Sequence, residues 1–195
     1  DTTGECVVLI HGNAAPYVTW DNTIEDLCEA GLQVLRYDLF GHGFSDRPRL
    51  RTYDRQFYNT QLAELLVHLE IPYPVLVVGT SQGGSIGACF AAENPGAVKK
   101  LALLAPFFDD FEGSQSIAAR LVKTPLVGEV ILRLVGDKKI IDLSDAILSA
   151  DTRAALEPRV AEQLRFEGKR RAILANWRGD ALEGASNCYE SVREQ

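Results

Sequence analysis

Apolar positions along this chain follow two rhythms. Four runs are short and continuous: Cys6–Ile10 (CVVLI), Gln33–Tyr37 (QVLRY), Val75–Val78 (VLVV) and Leu101–Leu104 (LALL). Unbroken apolar runs of this length read as strands covered on both faces, the mark of a parallel sheet. Between them the period becomes helical. Trp20, Ile24, Leu27 and Cys28 share one face before Gly31. Tyr58, Leu62, Leu65, Leu66 and Leu69 repeat that spacing before Pro72. Ser85 to Glu93 forms a third helical pattern, closed by Asn94-Pro95, because a residue before proline avoids the helical region. Strands alternating with helices predict an α/β fold with right-handed crossovers.

After Pro106 the rhythm changes. Residues 107–178 carry no convincing strand and read as helices separated by Gly113, Pro125, Gly128, Gly136, Pro158 and Gly168. Ile117, Leu121, Val122, Leu126, Val130, Ile131, Leu134 and Val135 form a broad apolar stripe. We read this stretch as a helical insertion over the sheet. The organisation is then a core at 1–106, a helical cap at 107–178 and a return to the core at 179–195.

Composition narrows the function classes. Of 195 residues, 46% are hydrophobic and 24% charged, which is a globular profile. Twenty basic against 27 acidic side chains give a net charge of −7. That balance argues against nucleic-acid binding, which needs basic patches. The one basic run, Arg165 to Arg171, reads as a solvated helix face. Cys6, Cys28, Cys89 and Cys188 are widely spaced, and three lie in apolar periodic stretches. They read as buried reduced thiols, with cytoplasmic residence as the default, and no CxxC or Cys/His pairing suggests a metal. No apolar run approaches the ~20 residues that span a bilayer. The chain has no Met and opens just before a strand, so it reads as a piece of a longer protein.

The chemistry is concentrated at Gly79-Thr80-Ser81-Gln82-Gly83-Gly84. This G-x-S-x-G sequence stands between a buried strand and a helix, the context in which it forms a sharp turn that exposes the serine hydroxyl. Small residues are needed two before and two after Ser81, where a Cβ would strike the neighbouring strand and helix. A P-loop would need Lys where Ser85 stands, and no dinucleotide G-x-G-x-x-G is present. A tetrahedral intermediate needs two backbone N–H donors. Gln82, the residue after the serine, is placed to supply one, and Asn13 in His11-Gly12-Asn13 is placed to supply the other. His11 and His42, at a strand end and between two glycines, read as structural residues.

These elements together resemble the α/β-hydrolase superfamily, in its esterase, lipase and lactonase branch. The resemblance rests on VVLIHGN, RYDLFGHGFSDRP and VVGTSQGGSIG, and covers residues 5 to 106. It implies a mostly parallel sheet flanked by helices with a helical cap, Ser81 as nucleophile and the Asn13 and Gln82 amides as oxyanion hole. HGN is also similar to the haloalkane dehalogenases, but Ser81 stands where those enzymes carry an aspartate. The family order is serine, acid, histidine. Here His11, His42 and His68 all precede Ser81, so the catalytic histidine and the C-terminal strands are expected beyond this chain. Asp110 or Asp109, after the fourth strand, is the candidate acid. The resemblance implies ester hydrolysis, the apolar stripe suggests a small lipophilic ester as substrate, and acyl transfer through serine needs no cofactor. C–C bond hydrolysis, lactone hydrolysis and a non-catalytic binding role on the same fold are the alternatives. A lipid surface is a further candidate partner for the cap's stripe.

Overall fold

The structure, a computed structural model, describes residues 4–13, 15–107, 116–135, 158–159 and 161–194. Its centre is a parallel sheet of four strands: β1 (Cys6–Ile10), β2 (Gln33–Arg36), β3 (Val75–Thr80) and β4 (Val98–Leu104), in the order β2-β1-β3-β4. Crossovers run through a 3-10 helix (Tyr17–Thr23) and α1 (Ile24–Glu29), α2 (Arg55–His68), and α3 (Gln82–Glu93). Beyond the sheet lie α4 (Ile117–Lys123), α5 (Val127–Val135), α6 (Lys169–Arg178) and α7 (Ser186–Arg193). Among the described residues, no helix is long and apolar enough to cross a membrane.

Each of the four runs falls within or overlaps a strand, but only β1 is buried along its whole length. Strand β1 has β2 and β3 as neighbours, which covers both its edges. On one face Val8, Ile10, Val75 and Val77 pack with Tyr58, Leu62 and Leu66 of α2 and Ile86 and Phe90 of α3. On the other, Val7 and Leu9 pack with Trp20, and Leu27, Leu32, Leu76 and Val78 complete that layer. Strand β3 therefore alternates between buried and half-buried, and β4, which pairs with one described strand, is largely open. Trp20 sits in the 3-10 helix and is buried, and Leu27 packs beside it, whereas Cys28 is exposed, so that face ends one residue earlier than the spacing predicts.

Two further expectations are corrected. Cys89 on α3 and Cys188 on α7 form a disulfide across 99 residues, with Cα atoms 4.8 Å apart. Helix α7 lies against α3 at this point, which local spacing in the sequence could not reveal. Of the four cysteines, only Cys6 is a buried free thiol. Within the basic run, Lys169 is buried, and the Arg171 guanidinium donates to the Arg47 carbonyl at 2.9 Å. The run is thus partly an inward face of α6, not a solvated one throughout.

The apolar stripe also lies differently from a core face. Ile117, Leu121, Leu126, Val130 and Leu134 are exposed, while Val122 and Val135 of the stripe pack, partly buried, with the buried Leu132 and with Leu174 of α6. Helix α5 is fixed to α6 by a two-pronged ion pair from Arg178 to Glu129, at 2.9 and 3.0 Å. The α6 residues Ala172 and Ala175 reach the main core, and the Tyr53 N–H donates to the Ala175 carbonyl at 2.8 Å. Helix α6 is thus set into the sheet layer's core, close to the ends of β1 and β3.

Candidate active site

Ser81 stands alone between β3 and α3, at φ 52 and ψ −121. This is a left-handed φ held by a residue other than glycine, a strained conformation kept only where its surroundings over-determine it. The surroundings do so. The Ser81 N–H donates to the Leu104 carbonyl at 2.9 Å, and the Ser81 carbonyl accepts from Gly84 and Ser85 at 3.0 and 3.3 Å. A Cβ on Gly79 would lie 2.3 Å from the Gly83 carbonyl oxygen, and one on Gly83 would lie 2.3 Å from that of Ile10. The strand end and the helix start therefore approach more closely than any side chain permits. The turn expected from G-x-S-x-G is present, and its glycines are where the backbone contacts demand them.

The loop after β1 folds over this turn. A Cβ on Gly12 would stand 3.1 Å from the Ser81 Cβ and 3.7 Å from its hydroxyl oxygen. Asn13 follows, half-buried, and Gln82 opens α3, fully buried. Ser81, Asn13 and Gln82 are thus brought together. Asp109 and Asp110 lie outside the described residues. Among the described residues, no cluster of His, Cys, Asp and Glu could hold a metal ion.

The histidines have other employment. His11 Nδ1 sits 2.7 Å from the Gly12 carbonyl, and Nε2 accepts the Leu39 N–H at 2.9 Å. Both nitrogens are therefore engaged, with the proton on Nδ1. Its 3.8 Å approach to Asp38 is a charge contact at most, since Nε2 is already an acceptor. Burial pushes the His11 pKa down to about 4, only partly offset by the Gly12 carbonyl and Asp38. His42 packs edge-on against His11, with centroids 5.2 Å apart, and burial holds it well below the usual imidazole range, helped by Lys169 and His11. His68 is exposed at the end of α2.

The loop from Asp38 to Pro48, which carries His42, is organised by Asp38, whose carboxylate accepts the Tyr17 and Phe44 N–H groups at 2.8 and 2.9 Å. A Cβ on Gly43 would fall 1.9 Å from that carboxylate, so only glycine fits there. Lys169 of α6 donates to the Gly41 carbonyl at 2.9 Å. Burial, reinforced by Arg47 and opposed by Asp38, pushes the Lys169 pKa down to about 7.

Sequence reasoning missed the residue that joins the site. Asn176 of α6 is 1% exposed. Its Nδ2 donates to Asn13 Oδ1 at 2.8 Å and to Gln82 Oε1 at 3.3 Å. Its Oδ1 accepts from Gln82 Nε2 at 2.9 Å and from the Tyr58 hydroxyl at 3.1 Å. A signal was present: Lys169, Ala172 and Asn176 recur at i, i+3 and i+7, so two polar residues share the face of α6 that its buried alanines occupy.

Known proteins resemble this chain at three levels. Residues 5–125 match the family model described as the alpha/beta hydrolase fold. An uncharacterized protein of Mycobacterium tuberculosis is 28% identical over 207 residues, taking in 96% of this chain and 58% of that protein. The chain thus spans a little over half the length of that relative. The 2-hydroxy-6-oxo-2,4-heptadienoate hydrolase of Pseudomonas putida is 27% identical over 98% of the chain and 69% of its own length. Among solved structures, a carboxylesterase structure from the thaumarchaeon Nitrososphaera gargenis superposes with a TM-score of 0.71 at 24% identity, covering 100% of this chain and 70% of that one. The haloalkane dehalogenase DatA of Agrobacterium tumefaciens superposes with a TM-score of 0.72 at 20% identity, covering 98% of this chain and 68% of its own. At these identities the two structures establish a shared fold.

Proposed function

Since the chain belongs to the alpha/beta hydrolase fold family, we propose that its parent protein hydrolyses carboxylic esters through an acyl-serine intermediate on Ser81. The observation that carries this reading is Ser81 itself, in a left-handed turn between β3 and α3, with the loop after β1 closing over its hydroxyl. Backbone strain at a serine with this placement serves to present the oxygen, not to stabilise the fold.

In the proposed reaction the Ser81 oxygen attacks the ester carbonyl. The carbonyl oxygen gains negative charge and accepts hydrogen bonds from the Asn13 and Gln82 amides. The start of α3 adds a favourable dipole. The alcohol then leaves, and water releases the acid from the acyl-serine. A serine hydroxyl needs a base to take its proton. His11 is engaged at both nitrogens and held neutral, so it is a poor candidate. The base is proposed to be a histidine contributed by the parent protein downstream of this chain. The exposed apolar residues Ile117, Leu121, Leu126, Val130 and Leu134 favour a lipophilic acyl or alcohol group.

A second reading, C–C bond hydrolysis by the same serine, is favoured by the likeness to the Pseudomonas putida hydrolase. The test uses the full-length parent protein and its Ser81→Ala variant, with a fluorophosphonate probe, a p-nitrophenyl butyrate assay and 2-hydroxy-6-oxo-2,4-heptadienoate. We expect labelling and ester turnover that Ser81→Ala abolishes. Turnover of the dienoate in place of the ester transfers the conclusion to the second reading. A folded full-length protein that neither labels nor turns over any of these refutes the serine-hydrolase reading.

A further inference from the structure

The carboxamide of Asn176 has two protons to donate and two lone pairs to fill. All four are used. The protons go to Asn13 and Gln82, and the lone pairs receive Gln82 and Tyr58. With Gln82 the contact is reciprocal, amide to amide, which fixes the orientation of both groups. A buried polar side chain with every site satisfied holds one geometry, because any rotation leaves a donor or acceptor without a partner.

The partners are what make this informative. Asn13 comes from the loop after β1 and Gln82 from the start of α3, separated in sequence from Asn176 by 163 and 94 residues. These are the two residues whose backbone N–H groups would receive the developing oxyanion. Packing α6 onto the main core is already provided by Ala172 and Ala175. An asparagine that reaches both loops instead fixes their separation.

We propose that Asn176 is a positioning residue, holding the Asn13 and Gln82 loops at the spacing that aims their amides at one oxygen; this rests on the serine-hydrolase reading of the site. Asn176 does not touch the substrate. It acts through the side chains of the two residues whose main chains do, with Tyr58 as the support behind it. Aiming errors of about 1 Å in such a site cost on the order of a hundredfold in rate.

The decisive variant is Asn176→Asp in the full-length parent protein. It keeps the acceptor that meets Gln82 Nε2 and Tyr58 but sets an oxygen against Asn13 Oδ1 and Gln82 Oε1 in place of the N–H donors. Asn13→Ala cuts the same link from the half-buried side. Ser81-dependent turnover is measured first; if wild type lacks it, the reading and this inference fall together. With that turnover in hand, Asn176→Asp is expected to lower kcat by about 10- to 100-fold with KM changed by less than about threefold. Its loss should shrink severalfold in an Asn13→Ala background, since the nearer of the two oxygens it opposes is gone. A folded Asn176→Asp with wild-type kcat, a loss confined to KM, or simple additivity of the two losses overturns the proposal. Should Asn176→Asp not fold, Asn13→Ala alone decides: a kcat loss of about tenfold at unchanged KM supports the clamp, and wild-type kcat overturns it.

Discussion

A buried imidazole with both nitrogens engaged makes stability depend on pH. The His11 pKa is about 4 in the fold, below the ordinary value of 6.5, and His42 is lowered too. The unfolded chain therefore binds more protons than the folded one between these values. The stability these residues contribute is present above pH 6.5 and is lost as pH falls towards 4. We expect the urea midpoint to drop over that window, and a His11→Gln variant to show a shallower drop. An equally steep drop in the variant would assign the effect elsewhere. Residue-scale reading of the sequence reached Ser81, Gly79 and Gly83, because a strand, a tight turn and a helix constrain each other within a dozen positions. It did not reach Asn176, whose partners lie more than ninety residues away, or the bond from Lys169 to the Gly41 carbonyl, 128 residues away. For these, local pattern gives only an inward-facing polar residue, without saying what it meets.

At the scale of elements, continuous apolar runs located the strands but overstated their burial. A run shows that a segment suits a parallel sheet, whereas its place in the strand order decides which edges are covered. Hence β1 is closed along its length while β4 is not, though both read alike. The stripe on α4 and α5 shows the same gap between pattern and placement, since the residue that is buried, Leu132, lies outside it. Helix α6 is the element on which α5 and the main core converge. Leu174 is 1% exposed and packs on Leu132, so Leu174→Ala should cost ~2–5 kcal/mol in urea unfolding. A cost under ~1 kcal/mol would show that α5 and α6 are not tightly docked.

The whole molecule is closed by Cys89 and Cys188. Their bond joins α3, which Gln82 opens, to α7, and encloses a loop whose ends are 99 residues apart. Closing so long a loop restricts the unfolded chain more than the folded one. Cys188→Ser is expected to lower unfolding free energy by ~2–4 kcal/mol, while Cys28→Ser, at an exposed thiol, changes it little. Equal effects of the two would show that the cross-link adds no stability. The thiol reading from composition could not anticipate this, because pairing is a property of the folded packing of α3 on α7.

The reach of Asn176 back to Asn13 and Gln82 also has a consequence in time. Synthesis proceeds from the N-terminus, so the β1 loop and the serine turn leave the ribosome long before α6 does. Contacts of such sequence separation form late, after the local ones. A nascent chain therefore carries its serine turn for several seconds before Asn176 can meet Asn13 and Gln82. On the proposed reading, the spacing of the two loops is set only when the carboxamide from far downstream arrives, so the serine turn is built early and its surroundings are fixed late.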